Sequence, residues 1–180
     1  MSSLQQYKAR RCATAAGILV VENKVLLLLH KKVHIWLAPG GHLDEHELPH
    51  EAAQREFFEE TNITVSAYSP NPPLTSHTNE YLPNPIAIDL HWISKENYHH
   101  RIKSTHPDEP CISTLWPRGC EQHYTFIYLM KPIGKTIPVL NKKESLDIRW
   151  FTRSELETEE ILPSIRNECL LAINISNQSN

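Results

Sequence analysis

The sequence predicts an α/β protein in which a β-sheet is covered by helices on both faces. Three observations carry this. The apolar runs Cys12 to Val21 (CATAAGILVV) and Val25 to His30 (VLLLLH) are continuous rather than alternating, as expected of strands buried on both sides. Further strand-like stretches follow at Ile63 to Tyr68, Ile86 to Ile93, His123 to Met130 and Ile148 to Phe151. Helical stretches at His50 to Thr61 and Ile161 to Ile173 supply the covering layers. A chain of 180 residues suits one domain with a substantial core, and no repeat or linker divides it.

Each element follows from local chemistry. Asn23-Lys24 reads as a turn joining the first two strands into an antiparallel pair. Val33 to Ala38 contains Trp36, a core residue or a wall for a bound ring. Pro49 sits where a helix tolerates proline, in the first turn, and no internal Gly or Pro interrupts His50 to Thr61. From Ser69 to Glu121 lie eight of the 13 prolines, with polar runs broken by the one strand at Ile86 to Ile93. A long irregular insert of this kind, 69–121, is expected to cover the mouth of a site and select the ligand, against a reading as surface elaboration or oligomer contact. Gly134 to Asp147 is loop-like and carries Glu144 and Asp147. Ser154-Glu155-Leu156 begins a short helix, Pro163 stands near the start of the last one, and about residues 1–10 and 175–180 are expected to be flexible.

Composition narrows the function. A net charge of −3 and a pI near 6.4 give no electrostatic reason for a nucleic-acid partner or a membrane surface, so a small-molecule ligand is expected. The N-terminal MSSLQQYKARR lacks an apolar core, and no apolar run approaches the roughly 18 residues of a membrane span, which implies a cytoplasmic protein. A monomer or a homodimer is expected. Cys12, Cys111, Cys120 and Cys169 form no CxxC pair and no disulfide framework, so free buried or half-buried thiols are expected. A zinc site from His106, Cys111, Cys120 and His123 is the lesser reading, because the spacing is irregular.

The chemistry concentrates in Gly41 to Ile63, GHLDEHELPHEAAQREFFEETNI. At about 100° per residue, with Glu56 as zero, Glu60 falls near 40° and Glu59 near 300°, so three carboxylates share an arc of roughly 100°. Neighbours at this spacing have Cβ atoms about 5–6 Å apart, and each pair repels by roughly 2–3 kcal/mol at an effective dielectric of about 20. Either water screens that repulsion or a cation occupies the face. Ala52 and Ala53 keep the surroundings shallow, Phe57 offers a flank to pack on a sheet, and the Pro39-Gly40-Gly41 turn allows close backbone approach. Arg55 and Glu47 are placed to brace the loop onto the helix. Together these features make a hard-cation site.

This stretch resembles the signature of the MutT/Nudix hydrolases. Gly41, Glu47, Arg55, Glu56, Phe57, Glu59, Glu60 and Ile63 stand where that pattern requires them, and the single departure is Asn62 in place of its second Gly. The position closes a helix end in left-handed backbone, where Asn is the residue best tolerated after Gly. The resemblance implies a Nudix-type α/β/α sandwich with a mixed central sheet and a catalytic loop-helix-loop. It implies that Glu56, Glu59, Glu60 and the carbonyl of Gly40 or Gly41 hold the metal, while Arg55 orients Glu56 or pairs with Glu47. Glu59 or Glu56 is expected to be the general base, ahead of Glu144 on the downstream loop.

Oxygen donors of this kind select Mg²⁺, with Mn²⁺ as substitute. The implied reaction is metal-dependent hydrolysis of a pyrophosphate linkage in a nucleoside triphosphate, dinucleoside polyphosphate or nucleotide sugar. Members acting on dinucleoside polyphosphates carry a Tyr downstream of the signature, as Tyr81 stands here, whereas Thr78 replaces the Pro of those acting on ADP-ribose. Trp36 and Tyr81 are accordingly the candidate substrate-binding residues. A non-catalytic nucleotide-sensing module is the alternative, opposed by the retention of all three glutamates. A zinc hydrolase built on His30 with His34, or on His42, His46 and His50, is opposed by the expectation that Pro49 and the glycine turn leave His42 and His46 in loop.

Overall fold

The computed structural model describes residues 4–6, 8–71, 74–103 and 119–178. Strand β1 (Arg11–Val21) is the spine of an eight-stranded mixed sheet. It runs parallel to β7 (Gln122–Pro132), in register from Arg11↔Gln122 to Leu19↔Met130. On its other edge β1 takes the short strand β4 (Gly40–His42), antiparallel, with Ala15 opposite Gly41. The anticipated hairpin to β2 (Lys24–His30) forms through Glu22 and Asn23, both at positive φ, but joins only Val20↔Val25 and Val21↔Lys24. The long partner of β2 is instead β8 (Ser145–Thr152), with β3 (Trp36–Leu37) on its other edge. Antiparallel to β7 lie β5 (Val65–Tyr68) and β6 (Ala87–Trp92).

Side-chain alternation on these strands builds two cores. Ala15 and Leu19 of β1, with Tyr128 and Met130 of β7, pack beneath Ala52, Ala53 and Phe57 of α1 (Pro49–Thr61). Ile18, Ile127 and Leu129 project to the other face. There they meet Leu156 of α3 (Arg153–Thr158) and Cys169, Ala172 and Ile173 of α4 (Pro163–Gln178). Continuous apolar runs therefore do mark strands buried on both sides, and the architecture is an α/β/α sandwich.

Three expectations need correction. The insert 69–121 contains a helix, α2 (Lys95–Lys103), beside its strand. Its sequence KENYHHRIK has no apolar stripe, because α2 is anchored by charge. The Arg101 guanidinium donates to both carboxylate oxygens of fully buried Glu121, at 2.9 and 2.6 Å. The last helix continues past Ile173 to Gln178, since Ile175 still packs on the second core. Cys12 and Cys120 are not free thiols but a disulfide, Cα atoms 5.8 Å apart, because the β1–β7 register brings together positions separated by 108 residues. Cys169 is free and buried as expected, while Cys111 and His106 lie outside the described residues.

Candidate active site

The glutamate face is aimed by what α1 buries. Ala52, Ala53 and Phe57 are fully buried against the sheet, which fixes the helix's rotation about its axis. Its ends are set locally. Pro49 opens the helix, the Glu51 carboxylate accepts the Leu48 N–H at 2.9 Å, and Asn62 closes it at φ 56° and ψ 23°. The Asn62 N–H reaches the Phe58 carbonyl at 2.7 Å, so Asn62 supplies the left-handed cap expected of it.

Arg55 ties this helix to the preceding loop. Its Nε and Nη2 donate to the two oxygens of Glu47 at 2.8 and 2.9 Å, a bidentate pair. Nη1 donates to Glu56 at 2.8 Å and to Glu59 at 3.3 Å, and Nη2 also reaches the His42 carbonyl at 3.0 Å. Hydrogen bonding from Arg55 holds the Glu47 carboxyl below its usual range. Glu60 is only 6% exposed and accepts the Gly40 N–H at 2.9 Å. Burial pushes its carboxyl up to about 8, against the Gly40 hydrogen bond and with the repulsion of Glu56 adding. Glu56 is raised for the same first reason, burial, with Arg55 opposing. A Cβ at Gly41 would collide with the Glu56 carboxylate, so any larger residue there would push that carboxylate aside.

A cleft of about 490 Å³ opens over these groups. Glu56, Glu59, Glu60, Gly40 and Gly41 line it together with Glu144, so one surface gathers the residues expected to hold the metal and the loop acid, without Glu47 or Asp147. Trp36 and Tyr81 are not among its lining residues. Trp36 packs edge-on against Phe151, ring centroids 4.8 Å apart, and Tyr81 is exposed on the long loop. Asp147 lies within β8, paired with Leu29.

Sequence reading missed one group at the cleft and divided another between two separate zinc sets. Lys31, Lys32 and Lys143 add positive charge to the rim of an acidic cleft. His42, Cys120 and His123 form one wall of it, with His30 and Ile93 also lining the cleft, and His42 belongs to β4 rather than to a loop. The rings of His42 and His123 meet edge-on at 4.8 Å. Burial pushes His123 down to about 3, with His42 and His91 adding to the shift. No signal local to residues 42, 120 or 123 announces this wall, because β-sheet register assembles it. His46 sits at φ 66° between β4 and α1, so His42, His46 and His50 share no helical face.

A family model described as NUDIX domain matches residues 11–116. The chain is also similar to a NUDIX family hydrolase from Clostridium perfringens, at 24% identity over 92% of this chain and 98% of that one, TM-score 0.68. A MutT NUDIX hydrolase from Burkholderia pseudomallei matches at 16% identity over 90% and 98%, TM-score 0.59. The E. coli dihydroneopterin triphosphate pyrophosphohydrolase matches at 15% identity over 92% and 98%, TM-score 0.58. These likenesses place the chain in the same fold.

Proposed function

This chain belongs to the NUDIX domain family, as a Nudix hydrolase acting on pyrophosphate linkages, and we propose that its substrate is a nucleoside diphosphate derivative cleaved with Mg²⁺. The observation that carries the reading is the clustering of Glu56, Glu59, Glu60 and Glu144 with Gly40 and Gly41 on one cleft rimmed by three lysines.

The donor set fits such an ion. Buried Glu60, whose proton is held up to about 8 in the metal-free protein, is a carboxylate waiting for a positive charge, and Arg55 is committed chiefly to Glu47. Hard oxygen donors without sulfur select Mg²⁺, or Mn²⁺ in its place. Glu56, Glu59, Glu60 and a carbonyl of Gly40 or Gly41 would hold it. Bound there, the ion supplies charge neutralisation to phosphate oxygens and a more acidic water.

The chain's own groups do the rest. Glu59 has a half-exposed side chain and only a long contact from Arg55, which suits it to take the proton of the attacking water. Glu56, held by Arg55, keeps its carboxylate fixed at the edge of β4. Lys31, Lys32 and Lys143 attract the polyphosphate and offset the acidic face. Glu144 is the reserve base on the loop before β8. Among substrates, nucleoside triphosphates, dinucleoside polyphosphates and nucleotide sugars all carry the required linkage. A nucleotide-sensing module without turnover is the competing reading.

The test is a panel of these compounds with Mg²⁺, following released phosphate and nucleotide. Turnover of at least one member, abolished by exhaustive chelation and restored by Mg²⁺ or Mn²⁺, is expected. Tight binding without any product would favour the sensing module, and turnover that survives chelation would remove the metal from the mechanism.

A further inference from the structure

On the sheet face opposite α1, the cleft carries a second set of donors with different chemistry. Register puts Cys12 beside His123 and Thr14 beside His42, so these side chains share the face of Ile18 rather than that of Ala15. The Cys120 sulfur lies 3.6 Å from His42 Nε2. One ligand atom from each of Cys12, His42 and Cys120 falls within 4.8 Å of the others. The Nε2 of His123 is buried and has no hydrogen-bond partner among the described residues, in ring contact with His42.

We propose that Cys12, Cys120 and His42, with His123 as fourth donor, form a redox-gated site for one Zn²⁺ ion. The bridge between the two sulfurs closes the site, and its reduction opens it. Zinc is bound tetrahedrally by thiolate and imidazole, which requires donors roughly 3.3–3.8 Å apart from one another. Bonded sulfurs cannot meet that spacing, and neither carries the charge of a thiolate. A reductant such as a phosphine or a small dithiol delivers two electrons to the bridge, and two protons complete two thiols. Binding of the cation then releases both thiol protons to solvent.

In a reducing compartment such a cysteine pair beside histidine is a ligand set more often than a bridge. Sulfur and imidazole donors also sort ions away from the all-oxygen face of α1, so the two sites do not compete for one metal. The zinc site borders the other one physically. His42 follows Gly41 directly, and its carbonyl accepts from Arg55 at 3.0 Å, so a cation held by His42 restrains β4 where that strand meets Glu56.

The experiment uses full-length protein, oxidised or reduced with a phosphine, stripped of metal and titrated with Co²⁺ and then Zn²⁺. Far-UV circular dichroism is recorded throughout. Reduced protein is expected to take up one equivalent of Co²⁺ with a thiolate-to-cobalt charge-transfer band and the visible bands of a tetrahedral site. Zn²⁺ should displace it, and oxidised protein should show no such band. Cys12→Ser with Cys120→Ser should abolish the band, whereas Glu56→Gln with Glu59→Gln should leave it, separating this site from the acidic face. The proposal fails if folded, reduced protein gives no charge-transfer band or if the band survives loss of both cysteines. It also fails if reduction unfolds the chain and Zn²⁺ does not refold it. The readout is spectroscopic and so independent of whether the hydrolysis assigned above is found.

Discussion

The two sides of β4 present opposite ways of building a site. On the α1 side, the carboxylates come from one contiguous stretch, and helix periodicity alone puts them together. On the other side, His42, Cys120 and His123 are carried to the same cleft by strand register across most of the chain. The first kind of site has its carboxylates fixed relative to one another by Arg55 and Glu47, while the burial of Phe57 against β1 and β7 sets how that face is aimed. The second depends on every residue that sets the β1–β7 pairing.

The largest expected effect is on the α1 side. Glu59→Gln should lower turnover on the best substrate of the panel by about 10²–10⁴-fold with little change in unfolding midpoint. A near-normal rate would move the base to Glu144, and Glu144→Gln then becomes the informative variant. On the sheet side the matching perturbation acts on stability. Arg101→Ala leaves the Glu121 carboxylate buried just before β7 without a counter-charge, with the Arg10 N–H at 2.7 Å still donating to it, and should cost about 3–5 kcal/mol in denaturant unfolding. A loss below about 1 kcal/mol would mean that register holds without this anchor.

A smaller effect depends on pH. In metal-free protein Glu60 keeps its proton up to about 8, whereas the unfolded chain releases it near the ordinary 4.5. Through this group the folded state binds more protons between those values, and the Glu60 contribution to stability falls as pH rises through that window, by at most about 1.4 kcal/mol per unit. Saturating Mg²⁺ should flatten the slope. Thermal unfolding of the parent protein and of Glu60→Gln across pH 5–8, with and without the ion, checks this, and metal-free profiles of equal slope would show that water reaches Glu60. The smallest effect is at the cap. Asn62→Gly relieves left-handed backbone and should stabilise by up to about 1 kcal/mol, read as a shift in denaturant midpoint.

The same contrast decides what was legible. The arc of Glu56, Glu59 and Glu60, the proline start and the Asn62 cap are local properties, and all were readable without coordinates. So was the covering of the sheet on two faces, since continuous apolar runs need no knowledge of partners. The parallel union of β1 and β7, the Cys12–Cys120 bridge and the lysine rim were not readable, because each joins residues that no window spans. Helix α2 escaped for a different reason. Its buried anchors are polar, the Arg101–Glu121 ion pair and the Asn97 amide on the Cys120 carbonyl, and hydrophobic periodicity is blind to both. Trp36 is open between core and ligand in the sequence, and Phe151, the ring it packs on, comes from β8.

The ladder between β1 and β7 also has a bearing on the order of assembly. Its first pair, Arg11 and Gln122, stands 111 positions apart, so an unfolded chain must close a very long loop before the centre of the sheet exists. Helix α1 needs only neighbouring residues, and topologies dominated by remote pairs fold slowly. In refolding from denaturant, helical signal should therefore precede sheet formation. The acidic half of the cleft would then exist before its opposite wall, and the nascent chain carries an exposed cluster of negative charge until its last third has been made.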